Sequence, residues 1–265
     1  LFLNGLSENE IFDEHREFER QFSELKLNKF ENFPIEDNPH KKLKIGYVSP
    51  DFRSHSVAHF FEPLLQNHNP DTVETYCYYN NKIVDKITQR LINFSNHWRS
   101  IYGLSDKKAV IMIKNDEIDI LVDLAGHTGK NRLLIFAHKA APIQITYLGY
   151  PGTTGLSAID YRFTDIIADP VGITDKYHSE KLIRLPNGFL CYKGDQKVNF
   201  NPSLPFNKNR RITFGSFNNL NKITPEVITL WSKILDAIPQ SNLILKSGSI
   251  DNNLQVCVDL FKKEK

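Results

Sequence analysis

The sequence predicts an α/β fold in which helices cover both faces of a parallel β-sheet. Two observations lead to this prediction. Short apolar runs typical of strands alternate with helical stretches from residue 43 onwards, and such alternation is the pattern of parallel sheets. In addition, a polar loop directly follows three of these runs, as expected where ligands bind beyond the carboxyl ends of parallel strands.

The first element is an amphipathic helix predicted at residues 7–25. Ser7 is placed to cap it, with Glu10 three positions later as its partner in a capping box. The apolar side recurs at helical spacing and comprises Ile11, Phe12, His15, Phe18, Phe22 and Leu25. A helix with such a side must dock on another part of the protein. Residues 32–42, which contain two prolines, are interpreted as the linker to the main domain.

The main domain begins with the alternating strands and helices. Strands are predicted at residues 43–48, 73–79, 118–124 and 142–148. Helices are predicted at residues 57–68, 83–94, 107–114 and 133–138. Polar loops follow three of the strands, at residues 49–56, 126–132 and 149–155. If the strands are parallel, all three loops meet at one edge of the sheet.

The chain after residue 160 is predicted to be less regular, with four prolines and a polar linker at residues 193–210. A second strand and helix series then begins with a strand at residues 211–215. It continues with a helix at residues 225–238, opened by Thr224 and Pro225, and a strand at residues 242–246. Because this series stops early and residue 1 is not methionine, we expect the chain to be part of a longer protein.

Composition excludes several classes. The chain has 265 residues, 40% hydrophobic, and a net charge of +2, so neither nucleic acid nor another polyanion is an expected partner. No apolar run approaches the roughly 18 residues of a membrane span, and no signal peptide pattern is present; we expect a cytoplasmic protein with no membrane partner. The three cysteines, Cys77, Cys191 and Cys257, are far apart beside apolar neighbours and are expected to be reduced and buried.

The loop GYPGTTG at residues 149–155 has glycine at every third position. Glycine permits close approach of the backbone, so the loop could present its N–H groups and the hydroxyls of Thr153 and Thr154 to a ligand. A plain connecting turn is the alternative, since Pro-Gly is also a common turn signal. Its position beside two other polar loops favours the ligand-binding interpretation.

Two histidines in the strand-exit loops are candidates for chemistry. His55 suits a general base or a donor to substrate, and His127 has a similar position in the second loop; a structural role is the alternative for both. His59, four residues after His55, is interpreted as facing the core. The pair has no third ligand at a set spacing, so no metal site is predicted.

Lys222 is the strongest single candidate. It lies in a polar loop with Asn218 and Asn219, just before a helix N-terminus, where an ammonium and free N–H groups can hold a diphosphate. A solvated lysine is the alternative. Asp51, Asp123 and Asp165 are possible acids or bases, or turn caps. The chain contains no GxGxxG, GxxxxGK[ST], GxSxG or Asp-x-Asp motif, which disfavours dinucleotide oxidoreductases and P-loop enzymes.

Five motifs resemble a known family. They are KIGYVSPDFRSHSVAHF, DILVDLAGHTGKNR, APIQITYLGYPGTTGLSAIDYRFTD, EKLIRLPNGFLCY and ITFGSFNNLNKITPEVITLWSKIL. Together, over roughly residues 40–246, they resemble the catalytic region of the nucleocytoplasmic protein O-GlcNAc transferases and their SPINDLY branch. GHT at residues 126–128 and GSFNNLNKITP are more similar to SPINDLY and bacterial homologues. Asn219 and Asn221 stand where the animal enzyme has glutamine and tyrosine.

The resemblance implies a GT-B fold of two Rossmann-like lobes, with tandem tetratricopeptide repeats upstream. Residues 1–40 would be the helical linker from the repeats, residues 41–200 the N-terminal catalytic lobe, and residues 208–265 the start of a truncated C-terminal lobe. His55 falls on the active-site histidine and Lys222 on the lysine that binds the donor diphosphate, beside Asn218 and Asn219. Residues implied to line the acceptor and sugar pocket are His127, Gly149, Tyr150, Pro151, Gly152, Thr153 and Thr154.

The implied activity is inverting, metal-independent transfer of GlcNAc from UDP-GlcNAc to Ser or Thr hydroxyls of proteins, with no cofactor besides the donor substrate. A SPINDLY-type O-fucosyltransferase using GDP-fucose is the alternative within the fold, and a non-catalytic repeat scaffold is the alternative of another class. The 265-residue chain on its own is expected to be inactive.

Overall fold

The structure is a computed structural model and describes residues 5–22, 41–194, 202–218, 220–246 and 253–263. The chain divides into two compact units. The first is Leu6–Gly194, and the second takes in Asp195–Lys265 together with Leu1–Gly5.

The first unit contains a seven-stranded sheet in the order β3-β2-β1-β4-β5-β6-β7. Every pair of neighbouring strands is parallel, which confirms the predicted sheet. The strands are β1 Leu43–Ser49, β2 Val73–Tyr79, β3 His97–Ser100, β4 Ile120–Asp123, β5 Ile143–Thr146, β6 Tyr161–Thr164 and β7 Lys181–Arg184. The strand order reverses direction between β1 and β4, which is where ligands bind in such sheets.

The pairing register aligns the carboxyl ends of the three central strands, β1, β4 and β5. Val48 of β1 lies opposite Asp123 of β4, and Asp123 lies opposite Thr146 of β5. The chain therefore leaves all three strands at the same level, and the three polar loops begin side by side at one edge of the sheet, as the sequence predicted.

Helices in the first unit are α1 Glu8–Gln21, α2 Ser56–Gln66, α3 Lys86–Phe94, α4 Asp106–Asn115 and α5 Leu133–Ala137. The capping box of α1 is confirmed: Ser7 N donates to Glu10 Oε2 at 2.7 Å, and Glu10 N donates to Ser7 Oγ at 3.3 Å. Residues 23–25 of the predicted helix lie outside the described residues.

Two apolar cores, one on each face of the sheet, hold the first unit together. Successive residues of β2 alternate between them: Tyr76 and Tyr78 belong to one core, and Cys77 and Tyr79 to the other. Because both faces are covered, the strands can be apolar throughout rather than alternating with polar residues. This confirms the prediction of helices on both faces.

Several expectations were wrong. The strands β3, β6 and β7 were not predicted, and the last two lie in the stretch expected to be irregular. Cys77 and Cys257 are buried as expected, but Cys191 is exposed. His59 is exposed rather than facing the core, since it lies on the outward side of α2.

The second unit contains a pair of parallel strands, β8 Thr213–Ser216 and β9 Asn242–Leu245. Its helices are α6 Pro205–Asn209, α7 Pro225–Ala237 and α8 Asn253–Lys263. Thr224 caps α7 as predicted, accepting the Val227 N–H at 3.4 Å, with Pro225 in the first turn. Among the helices that the structure describes, none has the length and apolar character needed to cross a membrane.

Candidate active site

The loop after β1 places His55 at the N-cap of α2, immediately before Ser56. Its Nδ1 accepts the Val57 N–H at 3.3 Å, so the imidazole caps the helix. An Nδ1 that accepts a hydrogen bond carries no proton, and the neutral ring therefore holds its proton on Nε2. The Asp51 carboxylate lies nearby, with Oδ2 3.7 Å from the same Nδ1. His55 is thus fixed by its cap, with the Asp51 carboxylate beside the same nitrogen.

An open pocket of about 390 Å³ lies next to His55. Its lining residues are Ser54, His55, Ser56, His59, Phe60 and Tyr192. The rings of Phe60 and Tyr192 pack at a centroid distance of 5.5 Å and form an apolar wall. A polar group at His55 beside an aromatic wall suits a sugar or a peptide, both of which combine apolar faces with hydroxyl or amide groups.

Asp123 holds the loop after β4. Its buried carboxylate accepts the N–H groups of Ala125 at 3.0 Å and Gly126 at 2.8 Å, and the hydroxyl of Thr146 at 2.8 Å. Burial raises the pKa of Asp123 to about 6, although these hydrogen bonds act in the opposite direction. Asp123 therefore has the structural role that was the alternative to acid or base chemistry.

Asp165 likewise caps a turn. Its carboxylate accepts the N–H groups of Ile167, Ala168 and Phe189, and these backbone hydrogen bonds lower its pKa. Asp51 is the one of the three aspartates that lies beside a candidate catalytic side chain.

His127 packs against α1 rather than lining the open pocket. Its Nε2 donates to the Thr154 carbonyl at 2.8 Å, and its ring contacts the rings of His15, Phe18 and Tyr150. Burial lowers the pKa of His127, so the ring is neutral at neutral pH. The structure places this residue in a docking site for α1.

The two threonines of the GYPGTTG loop point inward. Thr153 donates its hydroxyl to Glu180 Oε2 at 2.7 Å, and Thr154 donates both its hydroxyl and its N–H to Glu180 Oε1. Both threonines are buried. The expectation that these hydroxyls face a ligand is wrong, because the buried Glu180 carboxylate requires donors and the two threonines supply them.

The glycines of the same loop allow close contact with the protein's own backbone. A Cβ at Gly149 would lie 2.0 Å from the Leu124 carbonyl oxygen, and one at Gly155 would lie 2.0 Å from the carbonyl oxygen of His15 in α1. Gly155 also has a φ of +75°, which favours glycine. At Gly152 the nearest atom would belong to the Tyr150 ring, at 3.0 Å.

Tyr150 and Pro151 complete the loop. The Tyr150 hydroxyl lies 2.6 Å from His15 Nε2, and burial raises the pKa of this tyrosine. Pro151 is exposed. Arg162, buried beneath the loop, donates to the carbonyls of Tyr150 at 3.0 Å and Gly152 at 2.9 Å. The structure thus brings His127, Tyr150, Gly152, Thr153 and Thr154 together as one packed group.

Sequence reasoning missed Glu180 and Arg162. Both are charged residues in short strand regions of ordinary composition, and their partners lie 10 to 27 positions away along the chain. Nothing in the local pattern marks such residues. Only the pairing of β5, β6 and β7 brings them under the loop.

In the second unit, Lys222 is exposed at the end of a single 3₁₀ turn, Leu220–Lys222, and Asn218 is exposed before it. Asn219 lies outside the described residues. Two amides near the start of α7 are occupied: Ile223 N, two residues before the helix, donates to the Leu220 carbonyl at 2.9 Å, and Val227 N in its first turn donates to Thr224. Glu226 lies in the first turn. Lys222 therefore provides the accessible positive charge of this loop.

His55 and His59 remain without a third partner of the kind a metal needs. In the described ranges of the chain, no three side chains of His, Cys, Asp or Glu lie together as a metal-binding group.

Comparisons with known proteins agree with the fold. The model of glycosyl transferase family 41 matches residues 21–205. The structure resembles a mutant of the Thermobaculum terrenum O-GlcNAc transferase with a TM-score of 0.91 and 33% sequence identity, covering 99% of this chain and 50% of that chain. The predicted α/β fold of GT-B type is thereby confirmed.

The sequence also has curated relatives in plants. It is 41% identical, over 92% of the chain, to the probable UDP-N-acetylglucosamine–peptide N-acetylglucosaminyltransferase SPINDLY of Solanum lycopersicum, and 43% identical over the same share to that of Hordeum vulgare. It is 36% identical over 77% of the chain to the Arabidopsis thaliana protein of the same description named SEC.

The chain spans about a quarter of the length of these relatives, 26%, 26% and 22% respectively. The family match covers most of the first unit, including all seven strands of its sheet. The chain belongs to glycosyl transferase family 41.

Proposed function

We propose that this chain supplies the acceptor side of an inverting protein O-glycosyltransferase that transfers GlcNAc from UDP-GlcNAc to Ser and Thr hydroxyls of proteins. The observation that carries the proposal is the position of His55 within this family's fold. It lies at the point where the strand order reverses, beside an open pocket with an aromatic wall. Ligands bind at such a point in open α/β sheets.

The chemistry requires three events. The acceptor oxygen forms a bond to the anomeric carbon, the bond from that carbon to the diphosphate oxygen breaks, and the hydroxyl proton leaves. Attack from the face opposite the departing diphosphate inverts the configuration. The residues must therefore orient a hydroxyl, accept a proton and stabilise a leaving anion.

His55 suits the first of these tasks directly. In the tautomer fixed by the Val57 N–H, its Nε2–H donates to the acceptor oxygen and orients it. For His55 to take the proton, Nε2 must be bare and Nδ1 must carry the hydrogen. That second tautomer would exchange the helix cap for a hydrogen bond to Asp51, whose Oδ2 is 3.7 Å from Nδ1. Asp51 and His55 thus form a pair that can hold either tautomer.

Lys222 suits the third task. The diphosphate gains charge as the bond to the sugar breaks, and a positioned cationic donor is worth roughly 3 kcal/mol of transition-state stabilisation. The chain has no Asp-x-Asp motif to bind a metal to the donor, which supports a metal-independent reaction. In this assignment the exposed ammonium of Lys222 stabilises the leaving group.

GDP-fucose is the second candidate donor. The relatives named SPINDLY are more similar to this chain than the relative named SEC, at 39–43% against 36% identity. The loop GSFNNLNKITP has asparagine at 219 and 221, which favours the same branch. This alternative retains the fold, His55 and Lys222, and changes only the nucleotide and the sugar.

The test uses the full-length protein with a library of Ser- and Thr-containing peptides, and compares UDP-GlcNAc with GDP-fucose by nucleotide release and by mass of the product. We expect turnover of one donor, reduced about 100-fold or more by Lys222→Ala. His55→Ala should reduce transfer to peptide more than hydrolysis of the donor, because it acts on the acceptor.

The matched controls are Lys208→Ala, an exposed lysine of α6, and His97→Gln, on the edge strand β3. Both should retain activity. Turnover unaffected by Lys222→Ala would contradict the assigned mechanism. Absence of turnover with either donor would favour the non-catalytic scaffold.

A further inference from the structure

A second pocket, of about 230 Å³, lies in the first unit between α1, the loop at residues 151–153 and the segment at residues 168–178. It is distinct from the pocket at His55, with which it shares no lining residue. Its lining includes the carboxylates of Glu8 and Asp169 and the imidazole of His178, together with the apolar residues Ile11, Phe12 and Pro151. Its size suits one long side chain.

The charge of this pocket selects a cation. Its lining includes two carboxylates and, within the described residues, neither lysine nor arginine. Two guanidinium groups lie beside Asp169 outside this lining: Arg162 is buried with Nε 3.9 Å from Oδ2, and Arg184 donates its Nε to the Asp169 carbonyl at 2.6 Å. Arg162 Nη1 donates to the backbone of the GYPGTTG loop. The carboxylates of Glu8 and Asp169 would repel an anion and attract a cation.

His178 provides the second observation. Its side chain is 93% buried, and its Nδ1 lies 3.1 Å from the Thr174 carbonyl, to which it must donate. In the neutral ring Nε2 then carries a lone pair, and it has no hydrogen-bond partner in the described part of the chain. Asp169 Oδ1 lies 3.7 Å from Nε2, beyond hydrogen-bond distance.

His178 Nε2 lies beside a second acceptor. Asp169 Oδ2 accepts the hydroxyl of Thr164, and Asp169 Oδ1 lies 3.7 Å from Nε2. A buried acceptor without a donor, such as Nε2, is costly and calls for an explanation. A group with two N–H donors could donate one hydrogen bond to Nε2 and the other to Oδ1.

We propose that this pocket binds the guanidinium of an arginine in the protein substrate. A guanidinium presents parallel N–H groups in a planar fork, which matches a carboxylate oxygen and an imidazole nitrogen 3.7 Å apart. The aliphatic part of the side chain would pack on Phe12, Ile11 and Pro151. This inference rests on the proposed function, since it names a feature of the protein acceptor, and Pro151 belongs to the loop that would line the acceptor site.

The test measures binding rather than turnover. Two nine-residue peptides of Gly, Ala and Ser are compared, identical except for a central arginine in one and citrulline in the other, which has the same shape without the charge. Calorimetric titration into the 265-residue chain should show saturable binding of the arginine peptide and about tenfold weaker binding of the citrulline peptide.

Two variants locate the site. Glu8→Gln, at an exposed position of α1, and His178→Asn should each weaken binding of the arginine peptide several-fold. The matched control Glu14→Gln alters an exposed glutamate of the same helix outside the pocket and should bind like the unaltered chain. Thermal melts of each variant show whether it is folded.

Nitrogen NMR of the histidine rings gives an independent readout. The Nε2 signal of His178 should be that of a bare nitrogen in the free chain and should shift to that of a hydrogen-bonded acceptor when the arginine peptide is added. A protonated Nε2 in the free chain would overturn the proposal, because Asp169 would then have its donor. Equal affinity for the two peptides, unchanged binding by both variants, or no binding at millimolar peptide would also overturn it.

These outcomes are separate from the proposed function, because no donor and no transfer are involved. A failure to bind arginine leaves glycosyl transfer untouched, and an absence of transfer leaves the peptide titration interpretable.

Discussion

The Tyr150 hydroxyl donates to Nε2 of His15, 135 positions earlier in the sequence, at 2.6 Å. The direction of this bond is fixed because the other ring nitrogen, Nδ1, donates to the Ile11 carbonyl within α1. The bond links the first helix to the loop at the carboxyl edge of the sheet. The helix is therefore a structural part of the first unit, and the conformation of the GYPGTTG loop depends on it.

Removing this hydrogen bond should loosen α1. Tyr150→Phe leaves the ring packing in place but deprives His15 Nε2 of its donor, which we expect to cost about 1 kcal/mol. Hydrogen exchange should become faster in the amides of Glu8–Gln21 and remain unchanged in β1. Tyr102→Phe, at an exposed tyrosine, is the control. Equal protection of α1 in Tyr150→Phe and the unaltered chain would contradict the inferred role of the bond.

Gly155 and Gly103 allow a matched test of close packing. Both have a positive φ, +75° and +76°, but a Cβ at Gly155 would lie 2.0 Å from the His15 carbonyl oxygen, whereas one at Gly103 would meet no atom within 4 Å. Gly103→Ala should therefore lower the free energy of unfolding by about 1 kcal/mol, which is the cost of holding a non-glycine residue at a positive φ. Gly155→Ala should lower the free energy of unfolding by clearly more, because α1 must also move away from the new methyl group.

Urea denaturation of the two variants measures the difference, and hydrogen exchange shows where it arises. Faster exchange of α1 in Gly155→Ala alone is the expected result. Equal loss of stability in both variants would mean that the close approach of α1 to the loop contributes nothing beyond backbone strain.

The strongly periodic elements could be predicted from the sequence for a simple reason. In β2 and around β4, runs of apolar residues are buried on both faces, so local composition carries the information. The same is true of α1, where Ser7 and Glu10 mark the start. The strands β3, β6 and β7 read HWRS, YRFT and KLIR. Each contains charged residues and no continuous apolar run, so they are defined by hydrogen bonds to neighbours distant in sequence.

The candidate site also has features that the sequence predicts and features that it does not. The edge of the sheet and the position of His55 followed from the order of strands and loops. The orientation of Thr153 and Thr154 did not, because it depends on Glu180, which a fold with another strand order would place elsewhere. The docking partner of α1 was equally unpredictable: an apolar stripe indicates that a helix is buried, but not against which loop.

Asp123 should make stability depend on pH. Burial raises its pKa to about 6 from an ordinary value of 3.8, so the folded state holds this proton more tightly than the unfolded state. The contribution to stability is fully present below pH 3.8 and is lost as the pH rises through 6. A shift of this size corresponds to about 3 kcal/mol of unfolding free energy.

Carbon NMR of the Asp123 carboxyl should show a titration midpoint near pH 6, and Asp123→Asn should remove this part of the pH dependence of urea unfolding. The control is Asp71→Asn, at an exposed aspartate, which should leave the pH profile unchanged. A midpoint near pH 4 for Asp123 would contradict the prediction and would mean that its three hydrogen bonds outweigh burial.

His127 should make the stability depend on pH in the opposite direction from Asp123. Burial against α1 lowers its pKa below the ordinary value of 6.5, so the unfolded state takes up its proton first. The contribution of His127 is present above pH 6.5 and is lost as the pH falls through the lowered pKa. Because its ring contacts His15 and Phe18, the loss should appear as release of α1.

We expect hydrogen exchange in Glu8–Gln21, corrected for the intrinsic effect of pH, to show weaker protection at pH 5.5 than at pH 7.5. His127→Gln should remove most of that difference, whereas His97→Gln, on the edge strand β3, should preserve it. A full pH response in His127→Gln would assign the effect to another group and leave the docking of α1 independent of this histidine.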